Sequence, residues 1–360
     1  MLLINFKREM EKMLKNIKGI YLLVVIMLVG VALAACGQLE SGPNGNEDSG
    51  LKIVVTTSFI GDVVEQIAGE TAEISVLLEP GQNPHAYQPT PRDMVNISQA
   101  DAVFVNGLHL EEFLDDLLDG SDTDAELVVV SEGIEPLGMP EWGSHSEGEE
   151  EEDESHTAEA DHDHEADGGH EGEADQDHEG EHDHGLGYDP HVWFDPNNLI
   201  IWVDNIVSAL SELDPIHAAD YQANSQAYQE ELAALDSWIR EEVSQIPEGN
   251  RKLVTDHTAL GYFAEEYGFT QIGAVIPALT TEAETSGQEL AELIETIRDN
   301  QVKAIFVGID FDPTLAQRVA EETGVDLIPI YFGSLSDGEP AGTYLDFMRY
   351  DVTVILRALK

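Results

Sequence analysis

The sequence predicts an α/β protein of two lobes, each with a parallel sheet, joined by one long helix. Short β-branched runs alternate with amphipathic segments of helical period, the pattern of parallel strands with helical crossovers. This alternation occurs twice, in residues 51–214 and again in 248–360. Between the two sets, residues 215–247 read as one uninterrupted helix, with Pro215 near its start and Pro247 after its end. A chain of 360 residues is long enough for two such cores, and no short-period repeat is evident beyond this duplication.

Residues 1–35 are a signal peptide of the lipoprotein type. Lys7, Arg8, Lys12, Lys15 and Lys18 precede the uncharged run IYLLVVIMLVGVALAA, which suits a signal peptide and is short for a lasting membrane span. The run ends in LAAC, which resembles a bacterial lipobox whose cysteine, here Cys36, becomes the lipid-bearing first residue. Cys36 is the single cysteine, so with it lipidated any soft-metal site has to be built from imidazole and carboxylate. Residues 36–50 follow as a flexible polar linker.

In the first lobe, LKIVVTTSFIGDVVEQIAG passes from a strand into a helix whose apolar face is Ile60, Val63, Val64 and Ile67. AEISVLLEPG is a strand, TPRDMVNISQA a helix, DAVFVNG a strand, LEEFLDDLL a helix and AELVVVSEGI a strand. PNNLIIWVDNIVSALSEL closes the lobe as a helix. In the second lobe RKLVTDH, TQIGAVI, VKAIFVGI and VDLIPIYFG read as strands. Its helices are ALGYFAEEYG, ended by Gly268, SGQELAELIETIRDN with Ser286 as N-cap, TLAQRVAEETG and YLDFMRYDVTVILRAL.

Lys and Arg number 16 against 72 Asp and Glu, a formal net charge of -56. Such a surface repels phosphate backbones, which argues against nucleic acid as a partner; it favours solubility and attracts cations weakly. Acidic residues and histidines crowd residues 144–184, where apolar content is too small to offset ordering entropy. That segment reads as a disordered loop inserted into the first lobe. Its H-x-H pairs, His162 with His164 and His182 with His184, can hold zinc loosely and exchange it quickly, which favours a scavenging or zinc-level-sensing role; the alternative is a solvated spacer.

Outside the loop stand His85, His109, His191, His217 and His257. His85 lies in EPGQNPHAYQPTP, stiffened by Pro80, Pro84, Pro89 and Pro91, and His191 lies in YDPHVWFDP just before a helix. His257, in LVTDHTALGYF, sits where a strand meets a helix, the edge at which open α/β sheets bind ligands. Three imidazoles and one oxygen make a tetrahedral zinc site, and Asp189, Asp195, Asp256 or backbone carbonyls are candidates to hold the far ring nitrogens. No short metal-motif spacing joins the three, and each alone reads also as a hydrogen-bonded structural histidine. Their shared placement on braced loops at strand ends is what points to a joint site. His109 reads as structural, and His217 as exposed.

The pieces NPHAYQPTP, NGLHLEEFL, DPHVWFDP, TDHTALGYFAEEYG and GTYLDFMRYDV, in this order after a lipobox, resemble the metal-binding lipoproteins of bacterial zinc and manganese ABC transporters. The resemblance runs from Leu51 to the C-terminus apart from the acidic loop. It implies two Rossmann-like lobes joined by a rigid helix, with the metal in the cleft between them and His85, His191 and His257 as its ligands. It further implies an ABC permease as partner, extracytoplasmic anchoring to the cell membrane through lipid on Cys36, and a monomer. A His-rich loop at this place, and histidine at the third position where manganese-type members often carry Glu, imply Zn2+ rather than Mn2+. One position departs from the family's pattern: relatives often place Asp before SL near the C-terminus, whereas YFGSLSDG puts Gly333 there. The fourth ligand is then left to water or to another carboxylate, with Asp310 and Asp337 nearby in sequence. Capture needs neutral imidazoles, so affinity is expected to fall below about pH 6.5.

Two other classes stay open at this level. Three histidines with an open fourth position also describe a zinc hydrolase, although the chain lacks an H-E-x-x-H helix and an evident general base. A surface adhesin acting through the acidic loop is the other.

Overall fold

The computed structural model describes residues 50–138, 140 and 187–360. The signal peptide, Cys36, the linker up to residue 49 and the loop 144–184 with its H-x-H pairs lie outside the described residues. The first sheet contains β1 (Leu51–Thr57), β2 (Ala72–Leu78), β3 (Ala102–Val105) and β4 (Glu126–Val129), all parallel, in the order β2-β1-β3-β4. The second contains β5 (Lys252–His257), β6 (Thr270–Ile276), β7 (Ala304–Gly308) and β8 (Asp326–Ile330), again parallel, in the order β6-β5-β7-β8. In both sheets the chain winds one way from the first strand and then the other. This opens a crevice at the carboxyl ends of the central strands.

The strands are apolar on both faces because both faces are covered. Along β3, Ala102 and Phe104 enter the large central core while Val103 and Val105 pack behind it, the two-residue alternation of a strand. Helices α2 (Pro91–Ser98) and α3 (Leu114–Ser121) cover the rear of the first sheet through Ile97 and Leu117. The central core also takes in α1 (Ser58–Ala68), α4 (Pro196–Leu213), α5 (Ala218–Val243) and α6 (Gly261–Tyr267). Helices α7 (Gly287–Asn300) and α8 (Thr314–Thr323) cover the rear of the second sheet through Leu293, Ile297, Ala316 and Val319. The last helix, α9 (Tyr344–Leu359), leaves the second sheet to pack against α5 and α1, so the two lobes share one hydrophobic interior.

The connecting helix α5 has 26 residues and is about 39 Å long at 1.5 Å per residue. Tyr221, Tyr228, Leu232, Leu235, Ile239 and Val243 are its buried stripe, at spacings of three, four and seven residues. Two local expectations are corrected. LEEFLDDLL is helical only from Leu114, because the Glu111 carboxylate accepts the backbone N–H groups of Asn106 and Gly107 and the Thr56 hydroxyl, holding the preceding turn in a non-helical form. Leu108 and His109 in that turn have φ of 54° and 62°. His217 is half-buried rather than exposed; it stands at the N-cap of α5 with Nδ1 2.5 Å from Asp214 Oδ2. Among the described residues no helix is long and apolar enough to cross a membrane.

Trp193 ties the lobes together. Its buried ring stacks on Phe59 of the first lobe, with ring centroids 5.2 Å apart, while its Nε1–H donates to the Phe332 carbonyl beyond β8 at 3.0 Å. Tyr344 at the start of α9 donates to the Trp193 carbonyl at 2.8 Å, and the Leu335 N–H donates to Ser58 Oγ at 3.0 Å. Replacing Trp193 by Phe keeps an aromatic ring but leaves the Phe332 carbonyl without its indole donor. The expected loss of unfolding free energy is about 1–3 kcal/mol, read from urea denaturation curves of the two proteins.

Candidate metal centre

Two loops of the first lobe and the carboxyl end of β5 bring His85, His191 and His257 together. After β2, Pro84 fixes a tight turn in which Asn83 Oδ1 accepts the His85 N–H at 3.0 Å, and the Asn83 amide donates across the cleft to Thr281 Oγ1 at 2.8 Å. The second histidine follows Asp189, whose Oδ1 accepts both the backbone N–H (3.0 Å) and the Nδ1–H (2.7 Å) of His191. At the end of β5 the same device recurs: Asp256 Oδ1 takes the N–H (2.6 Å) and Nδ1–H (2.7 Å) of His257. The other oxygen of Asp256 accepts the Gly308 N–H at 2.6 Å, fastening the dyad to β7.

A carboxylate at Nδ1 sets the tautomer and leaves the Nε2 lone pair facing inward. The Nε2 atoms of His85 and His191 lie 3.1 Å apart, and those of His191 and His257 3.2 Å apart. A tetrahedral ion bound at 2.0–2.1 Å requires nitrogen atoms about 3.3–3.4 Å apart. Two of the three edges of the cluster therefore stand within about 0.3 Å of the length that zinc demands, before any adjustment. His85 is half-buried and the other two are buried, and each of the three can offer one ligand atom to a common ion. The cavity that they line has a volume of about 10 Å³, room for roughly one water-sized sphere. It fits a single ion and excludes an organic substrate.

Electrostatics keep the His85 and His191 rings neutral. Burial, followed by the neighbouring rings of His191 and His257, holds His85 well below the ordinary imidazole value. Burial, followed by His257, does the same to His191, with Asp256 opposing. The Asp189 carboxyl is pushed up to about 7 by burial, against the His191 N–H that stabilises its charge. A site that resists protonation in this way keeps its lone pairs available to a cation.

Of the carboxylates expected to steer the rings, Asp189 and Asp256 do so, whereas Asp195 instead caps α4 by accepting the Asn197 N–H at 2.9 Å. Asp337 is exposed and away from the cavity, while Asp310 lines it. His109 is exposed on its left-handed backbone, so the structural role expected of it is not one of core packing. Thr281, Phe311 and Phe332 also line the cavity, and nothing in their local sequence marked them. Gly261 was marked only by being a glycine in the first turn of a helix, where alanine is favoured.

The family described as zinc-uptake complex component A, periplasmic, matches residues 53–358. The manganese-binding lipoprotein MntA of Halalkalibacterium halodurans is 31% identical over 93% of this chain and 97% of its own length. The iron-binding protein YfeA of Yersinia pestis is 30% identical, over 93% and 94% respectively. Among solved structures, the periplasmic zinc binding protein TroA from Treponema pallidum gives a TM-score of 0.67 at 26% identity, covering 86% of this chain and 99% of that one. The Mn-bound periplasmic metal binding protein from Candidatus Liberibacter asiaticus gives 0.66 at 27% identity with the same coverage.

Gly261 tests how the second histidine is held. A Cβ at this position would lie 2.5 Å from Asp189 Oδ2, and the Gly261 N–H helps to stabilise that carboxylate. Gly261→Ala improves helix propensity yet displaces Asp189 and with it the His191 ring. Divalent-cation affinity is expected to fall about 10–100-fold, the range for a lost orienting partner, when the variant and the parent are titrated side by side.

Proposed function

The chain belongs to the zinc-uptake complex component A family, and on that premise we propose that it is the extracytoplasmic lipoprotein that captures Zn2+ with His85, His191 and His257 and delivers it to an ABC permease. Members of this family are the metal-binding components of ABC uptake systems and not enzymes, so the ion is cargo and nothing chemical happens to it. The observation that carries the zinc reading is the convergence of three Nε2 atoms at spacings of 3.1 Å and 3.2 Å.

Relatives named for manganese, iron and zinc share the fold, so cargo follows from the donor set and not from the architecture. Three neutral imidazoles suit zinc, whereas manganese is better served by carboxylates, carbonyls and water. Competition at one equivalent should therefore leave zinc bound and manganese free, and preference for manganese would overturn this part of the reading. The anchor is Cys36, the lobes are residues 51–214 and 248–360 about the helical link 215–247, and the H-x-H pairs of the loop 144–184 collect zinc weakly. The adhesin reading rests on that loop alone and gains no support from the described residues.

Two measurements test the capture site. In the triple variant His85→Ala, His191→Ala, His257→Ala one tight zinc site should disappear from calorimetric titrations while weak binding by the loop remains; a retained tight site would overturn the assignment. The pH profile follows from the lowered values of His85 and His191. A base whose proton affinity is depressed in the folded protein stays metal-competent at pH values where a free imidazole has begun to protonate. Zinc affinity is thus expected to hold through about pH 6.5, the free-imidazole value, and to fall only on further acidification. Affinity that halves already near pH 7 would contradict it.

A further inference from the structure

Three nitrogens leave one corner of a tetrahedron to be filled, and four side chains with oxygen donors line the cavity: Asn83, Asp256, Thr281 and Asp310. Three of them are already engaged. Asn83 Oδ1 accepts the His85 N–H, Thr281 Oγ1 accepts from Asn83, and Asp256 spends one oxygen on His257 and the other on Gly308. Building on the capture site proposed above, we infer that the Asp310 carboxylate, which lines the cavity outside the cluster of the three ring nitrogens, moves in as the fourth ligand of the transported ion.

The backbone places Asp310 for this role. β7 ends at Gly308, the Ile309 N–H is held by the Ile330 carbonyl of β8 at 2.9 Å, and the Phe311 N–H turns back onto the Gly308 carbonyl at 3.2 Å. Asp310 is thereby presented at the carboxyl end of the strand beside β5, which carries His257. Two glycines make room for its carboxylate. A Cβ at Gly308 would lie 3.1 Å from Asp310 Oδ1, and a Cβ at Gly333 would lie 3.6 Å from Asp310 Oδ2.

The same geometry explains why position 333 holds no ligand of its own. A Cβ there would stand 2.6 Å from Cδ of Pro84, the residue that aims His85. With Pro84 packed against Gly333, a side chain at that position would have to displace Pro84, and it would lie against the Asp310 carboxylate. The balance of charge agrees. Three neutral imidazoles leave a bound Zn2+ with its full charge, and a buried carboxylate without a counter-ion is costly unless a cation meets it. Among the described residues, the half-buried Asp310 has its own backbone N–H and the field of His257 to offset burial and the nearby Asp256.

The test swaps the ligand atom. Asp310→Ala, Asp310→Asn and Asp310→Cys are made in the full chain, purified in detergent and loaded with one equivalent of zinc. Asp310→Ala and the near-isosteric Asp310→Asn should each weaken the tight site by about 10-fold or more. Asp310→Cys should place one sulfur at about 2.3 Å from zinc in X-ray absorption, a signal absent from the parent, whose single cysteine is Cys36. Unchanged affinity in Asp310→Ala and Asp310→Asn, or no sulfur neighbour in a folded Asp310→Cys protein, would overturn the ligation. The triple histidine variant separates the two readings. If it loses tight zinc while the Asp310 arms fail, only the fourth ligand is wrong; if it keeps tight zinc, the capture site itself is misplaced.

Discussion

The His191 lone pair is held a little over 3 Å from those of His85 and His257 in a place that water scarcely enters, and the rest of the molecule is arranged around sustaining that arrangement. Aligned lone pairs repel, and a buried ring gains nothing from solvent, so the rings would turn away if they were free. Asp189 and Asp256 prevent this. Each grips its histidine twice through one oxygen, at the backbone N–H and at Nδ1, so that ring position and tautomer are set together. Gly308 secures Asp256, and Gly261 leaves the space that Asp189 needs. A divalent cation is what converts the stored repulsion into attraction.

The repeated strand order explains why such a cluster forms between lobes. Each sheet opens its crevice at the carboxyl ends of its central strands, and the two crevices face each other. His85 and His191 come from loops of the first lobe, and His257 from the end of β5 in the second. An ion bound by all three is also a bond between lobes, and its binding free energy is shared with their packing. Trp193 is the fixed part of that joint, since its ring belongs to the core of one lobe and its N–H to the backbone of the other.

Attraction and selection are separated in space. The chain's net charge of -56 draws cations of every kind toward the surface, without discrimination. Inside, burial keeps the His85 and His191 imidazoles neutral, and the proposed discrimination rests on nitrogen chemistry and on a space of about 10 Å³. Of the two carboxylates that line the cavity, Asp256 serves the His257 ring and Asp310 lies beside Gly308 and Gly333.

By itself the sequence determined the alternation of strands and helices, the duplication and the long connecting helix, because strand and helix periods, caps and prolines act over a few residues. Ser286 caps α7 and Gly268 ends α6 in a left-handed conformation, as their local patterns require. It also marked His85, His191 and His257, through the prolines and strand ends around them. Only tertiary structure decided that their rings meet, since residues 106 and 66 positions apart are brought to 3.1 Å and 3.2 Å by the packing of two sheets. It decided as well which carboxylates steer them, Asp189 and Asp256 but not Asp195, and which one faces the cavity, Asp310 but not Asp337. Where a side chain competes for backbone groups, local rules lose, as when Glu111 takes the N–H groups of Asn106 and Gly107 and holds the turn at the start of LEEFLDDLL out of a helix. Such contacts are set by how whole layers stack, and no window of neighbouring residues contains that information.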